Sequence, residues 1–202
     1  MRSKFFFPVG VLAAVLSAPA EFAQHFSFGV VAGAGVTDGF QNQTFRGVDT
    51  ITHFSSDSKD FIVGPMAEIG FPFNVSVEAD ALYRPLHLAN SAIVAPSGTF
   101  NSSTSVGTWE FPILLKYRFP TLIPFAKPLL EVGPSFRGGS GADAAPSSHG
   151  ITLGAGIEAK IIKVKVAPQL RFTRWGADNP AKIFAAPRTN VNQVEFLVGL
   201  SF

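Results

Sequence analysis

Eight segments of this chain alternate, residue by residue, between an apolar side chain and a polar or small one. They run roughly over Phe26–Val36, Asp60–Phe71, Asn74–Arg84, Thr108–Phe119, Pro124–Phe136, Gly150–Ile161, Lys163–Trp175 and Val191–Phe202. A repeat of two is the signature of a β-strand with two unlike faces, because successive side chains of a strand point to opposite sides. Each segment is about 11 residues long, whereas strands of water-soluble proteins are usually about 5–6. A tilted strand that crosses a bilayer needs about 9–11.

The two faces differ in charge. The last segment sets Val194, Phe196, Val198, Leu200 and Phe202 against Gln193, Glu195, Leu197, Gly199 and Ser201. Across all segments the polar face collects the acids Glu68, Glu78, Asp80, Glu110, Glu131, Glu158 and Glu195. It also collects the bases Arg84, Lys116, Arg118, Lys127, Lys160, Lys165 and Arg171. A base turned toward lipid at the bilayer midplane costs about 2–4 kcal/mol, so seven would cost about 14–28 kcal/mol. A whole domain is stable by only about 5–15 kcal/mol. In a membrane the charged face must point inward. The interior of an eight-stranded barrel is just wide enough for side chains to fill, and an unpaired ion buried there costs several kcal/mol. The sequence therefore predicts a plug of salt bridges among these acids and bases, Lys160 excepted.

The links between segments follow the same rhythm. Short ones fall near Pro72-Phe73, at Pro120–Ile123 and near Ile162. Long ones, rich in Ser, Thr, Asn, Asp, Gly and Ala, cover Thr37–Lys59, Pro85–Gly107, Arg137–His149 and Gly176–Asn190. Short turns at one end and long loops at the other describe a transmembrane barrel, and the long links are expected to be mobile and solvated. Aromatic residues gather toward the segment ends, with Phe71 and Phe119 at the short-turn rim and Tyr83, Trp109, Phe172 and Trp175 at the other. Two such girdles are expected where lipid meets water. Pro65, Pro112, Pro128, Pro134 and Pro168 lie inside the segments. Proline cannot donate to a sheet ladder, so local bulges are expected there.

The chain begins with Arg2 and Lys4, an apolar stretch over Phe5–Leu16, and Ser17-Ala18-Pro19-Ala20. This is the layout of a secretory signal peptide over residues 1–20, with cleavage after residue 20 or 23. Residues 24–202 are then one all-β domain, an eight-stranded antiparallel up-and-down transmembrane barrel.

The signal peptide, the strand rhythm and the closing stretch Gln193-Val194-Glu195-Phe196-Leu197-Val198-Gly199-Leu200-Ser201-Phe202 resemble bacterial outer-membrane β-barrel proteins of the small OmpA/OmpX type. Trp109-Glu110-Phe111-Pro112, Lys116-Tyr117-Arg118-Phe119 and Gly133-Pro134-Ser135-Phe136-Arg137 are similar to segments of such domains. The resemblance implies a monomer in the bacterial outer membrane, among its lipid and lipopolysaccharide. It implies that barrel-assembly machinery reads Phe196, Val198, Leu200 and Phe202 as an insertion signal. It implies no shared catalytic site.

The residues themselves point to no catalytic site, cofactor or metal. The chain lacks Cys, and His25, His53, His87 and His149 are scattered without metal-ligand spacing. His25-Phe26-Ser27 is similar to the His-x-Ser of outer-membrane lipid A deacylases, but it lies at the short-turn end, and in that family the pair lies near the outer leaflet. A net charge of +2 with no basic run leaves no footprint for nucleic acid. The expectation is a non-enzymatic outer-membrane barrel with a structural or surface-interaction role and an unknown loop ligand. Its alternatives are a narrow ion-conducting pore, a lipid-modifying enzyme and a soluble lipocalin-like barrel with its apolar face inside.

Overall fold

A computed structural model describes residues 25–47, 49–57, 61–94, 97–121, 126–139, 147–161, 163–176 and 190–202. The expected signal peptide lies outside these residues, as do parts of every long link. The described residues form eleven strands and no helix: β1 (His25–Gly35), β2 (Gln43–Arg46), β3 (Thr50–Asp57), β4 (Phe61–Gly70), β5 (Val75–Asp80), β6 (Leu82–Val94), β7 (Gly98–Arg118), β8 (Ala126–Gly139), β9 (His149–Ile161), β10 (Val164–Trp175) and β11 (Asn192–Ser201).

The wall closes. β1 pairs antiparallel with β11 on one side and with β4 on the other, from Gly29↔Ser201 and from His25↔Gly70. Between them the order is β4, β5, β7, β8, β9, β10 and β11. β6 continues β5 past Ala81 in unchanged register, since Ala79 faces Ile113 and Leu82 faces Glu110. β5 and β6 are thus one stave, and the barrel has eight. β4 and β5 meet in a tight turn where Phe73 and Asn74 take positive φ values of 65° and 62°. Such a turn matches the right-handed twist of the strands it joins.

Two expectations fail. The links at 37–59 and 85–107 are not loops throughout. β3 pairs β6 from Thr50↔Val94 to Asp57↔His87, β6 pairs β7 out to Val94↔Gly98, and β2 pairs β3. Together they carry a four-stranded sheet beyond the barrel wall. This sheet has no continuous apolar face, and without one the period of two leaves no hydrophobic signal to read.

The in-strand prolines produce no bulges. β8 keeps one register with β9 from Ala126↔Ala159 to Phe136↔His149, through Pro128 and Pro134. β7 and β8 pair at Pro112↔Ser135 and resume at Leu115↔Val132 without a slip. A missing N–H removes one bond from the ladder, but the pairs on either side hold the register.

The alternation sorts as charge demands. Leu200 and Ile157 are 44% and 52% exposed, whereas Glu195 and Arg171 are 2% and 1% exposed. Thirty large apolar side chains are exposed among the described residues. The lipocalin-like arrangement, with the apolar face inside, is the reverse of this. The interior is not wholly polar, however: Val31, Ile62, Met66, Leu82 and Leu197 form an apolar cluster on the inner side of β1, β4, β6 and β11.

Candidate functional site: the charged interior

The interior charges lie in three layers. Arg171, on β10, occupies the middle one. Its Nε donates to Glu131 Oε1 at 2.6 Å, its Nη1 to Asp80 Oδ2 at 2.6 Å and its Nη2 to Glu78 Oε1 at 2.7 Å. β10 stands four staves from β5, so this side chain bridges the full width of the lumen to reach Glu78 and Asp80. Lys116 bonds Glu78 and lies 3.7 Å from both Glu68 and Glu131.

The layer toward the short turns is held by Arg118. Its Nη2 meets Glu68 Oε1 at 2.6 Å, its Nε meets Glu158 Oε2 at 2.8 Å, and its Nη1 donates to Ser76 Oγ at 2.7 Å. The layer toward the long links contains Arg84 and Arg137. Arg84 bonds Glu195 at 2.5 Å and lies 3.7 Å from Glu110; Arg137 bonds Glu110 at 2.8 Å. Gln193 Oε1 accepts from Arg84 Nη1 at 3.1 Å, Arg137 Nη2 at 2.5 Å and Trp175 Nε1 at 2.9 Å. Its amide donates to the carbonyl of Gly39 at 3.2 Å, and Phe40 beside it is buried. The link after β1 thus packs onto this end of the plug at Gly39 and Phe40.

Of the charged residues expected in the plug, Glu68, Glu78, Asp80, Arg84, Glu110, Lys116, Arg118, Glu131, Glu158, Arg171 and Glu195 are brought into these layers. Lys127 and Lys165 are not. They lie beyond Arg118 at the short-turn mouth, half-buried, with no acid within ion-pair distance among the described residues. Trp175, expected in the girdle, is turned inward and 3% exposed, with the Arg137 guanidinium 3.7 Å from its ring centroid. Its parity with Arg171 and Thr173 on one strand was the signal for that placement. Phe71, Trp109, Phe119 and Phe172 are exposed on the outer wall. Tyr83 packs there against Trp109, with ring centroids 5.4 Å apart. Phe196, Leu200 and Phe202 of the expected assembly signal are also exposed, and Val198 beside them is half-buried.

Three interior features have weaker sequence signals. Arg137 joins the plug from the first position of the polar link 137–149. Ser135, Thr152 and Thr173 pass hydrogen bonds of 2.5 and 2.7 Å across β8, β9 and β10. Gly154 makes room for a neighbour: a Cβ built there would lie 2.3 Å from Glu131 Oε1. Gly154→Val is expected to push Glu131 off Arg171 and destabilise the barrel by about 1–3 kcal/mol, the usual cost of overpacking. Chemical unfolding of the two proteins measures it, and an unchanged midpoint would show that Glu131 has other space.

Among the described residues no hydrogen bond joins His25 and Ser27, and no cluster of three potential metal ligands occurs. A nucleophile needs a base within reach and a third group to orient it, and this pair has no such geometry.

No protein-family model matches the sequence, and no curated protein matches it. Among solved structures, the fold is similar to the crystal structure of Neisserial surface protein A. Identity is 18%, the match covers 89% of this chain and 97% of that one, and the TM-score is 0.49. At that level of similarity neither a role nor a partner transfers.

Proposed function

We propose that this protein is a non-enzymatic, monomeric barrel of the bacterial outer membrane, inserted by the barrel-assembly machinery, with a structural or surface-interaction role among lipid and lipopolysaccharide. The observation that carries the reading is the inversion of an ordinary globular protein: buried ion pairs inside, apolar side chains outside. Water-soluble monomers rarely expose contiguous apolar patches beyond about 300–600 Å², and the large exposed apolar residues, all but Phe45, Ile51, Ile93 and Phe100 on the barrel itself, call for another solvent. β11 has ten residues. At about 3.4 Å per residue and a tilt of about 40° it rises about 25 Å along the barrel axis, the height of an outer-membrane apolar band.

The plug favours a closed lumen over a pore, since Arg171 bridges it from wall to wall. Reconstituted in planar bilayers, the protein is expected to give no stepwise conductance; a steady unitary current would overturn the plugged barrel. Fractionation and protease shaving of intact cells test the placement. Cleavage confined to the four long-link regions is expected, and recovery of the protein in the aqueous fraction would refute it.

A further inference from the structure

The short-turn mouth of the barrel is built differently from the layers above it. It opens into a cavity of about 550 Å³ lined by Lys127, Lys160, Lys163, Lys165 and Arg118, with Glu68 and Glu158 as the only acidic side chains among the described residues and Phe202 at its edge. Five positive side chains face two negative ones, and both acids are already committed to Arg118 at 2.6 Å. Glu158 stands directly opposite Lys127 in the β8–β9 ladder and yet turns to Arg118 instead. Lys160 and Lys165 stand directly opposite one another in the β9–β10 ladder. Like charges so placed destabilise a sheet. All four lysines are left without an acid within ion-pair distance among the described residues. A surplus of positive charge concentrated in a concave mouth attracts anions and holds them.

We propose that this vestibule is a binding site for a multivalent phosphate, a diphosphate group in particular. Lysine binds phosphate as a compact point charge with three freely rotating donors. Lys160 and Lys165 line the cavity from adjacent strands, Lys163 from the turn between them and Lys127 from β8. A diphosphate between them removes the repulsion that the empty ladder carries, and Arg118 with its two acids forms the floor. The ligand is either a soluble phosphate compound or the headgroup of a phosphate-bearing lipid at the rim.

The test uses the barrel in a maltoside detergent, which contains no phosphate, titrated with inorganic pyrophosphate by calorimetry. Saturable binding is expected. Each of Lys160→Gln and Lys165→Gln is expected to weaken it about tenfold, the worth of one charge-assisted hydrogen bond. The same variants are expected to raise the thermal midpoint without pyrophosphate and to lose the stabilisation that pyrophosphate gives the parent protein. Lys163→Gln, in the turn and outside the ladder, provides a variant that leaves strand pairing untouched. Retained heat-modifiable mobility on gels reports that each variant is folded. Repeating the titration in nanodiscs separates the sources. Weaker pyrophosphate binding with phosphatidic acid than with phosphatidylcholine identifies a headgroup as the occupant, and equal binding identifies a soluble one. No saturable binding, or binding that the lysine variants do not alter, overturns the proposal.

Discussion

Arg171→Met is expected to destabilise the barrel by about 3–5 kcal/mol, the typical result of removing one partner from a buried ionic cluster. The cost arises from what remains. Glu78, Asp80 and Glu131 would lose the guanidinium that bonds all three, and Lys116 alone would face Glu78 and Glu131. The bridge between opposite staves would also be gone. Urea unfolding of the barrel in lipid vesicles measures the loss. A second substitution sharpens the result: Glu131→Gln in the Arg171→Met background is expected to cost less than Glu131→Gln alone, because the carboxylate has lost its main partner. Equal costs in the two backgrounds would show that Arg171 and Glu131 do not act together.

Leu170→Arg, one residue earlier on the same strand, is expected to cost about 2–4 kcal/mol in a bilayer, the depth-dependent penalty for a base on the lipid face. Leu170 is 52% exposed and stands level with Phe196 and Ala155 on the outer wall. If water bathed that wall, an exposed substitution of this kind would change stability by about 0.5 kcal/mol or less. The two neighbours thus make opposite demands: position 171 requires a positive charge and position 170 forbids one. A midpoint indifferent to arginine at 170 would count against the membrane reading while leaving the plug untouched.

Most of this arrangement is legible in the order of the amino acids, for a physical reason. A strand between two unlike media must alternate, and Glu195 between Val194 and Phe196 has no freedom to point elsewhere. The eight staves and their inner face follow from that constraint. The sheet beyond the wall does not, because pairs such as Ser91 opposite Asn101 and Asn90 opposite Ser102 offer no apolar side chain to set their phase. Lys127 and Lys165 share the inner parity of Arg118 and Arg171, but parity fixes a face and not a depth. Which acid a base reaches depends on stave order across the lumen, as with Arg171 and Asp80, which are 91 positions apart. Trp175 shows the converse. Its residue type suggested the rim, and its parity placed it inside.

β7 contains 21 residues, and only its second half belongs to the wall. The ten residues from Gly98 to Gly107 extend about 33 Å at the usual rise per residue. Hydrogen bonds tie them to β6 along that whole length. In a membrane this makes a stiff mast standing on the bilayer, rooted in the same stave that supplies Lys116 and Arg118 to the plug. If the long links face outward in a membrane, as proposed, a large molecule approaching from that side would encounter the hairpin before it meets the bilayer.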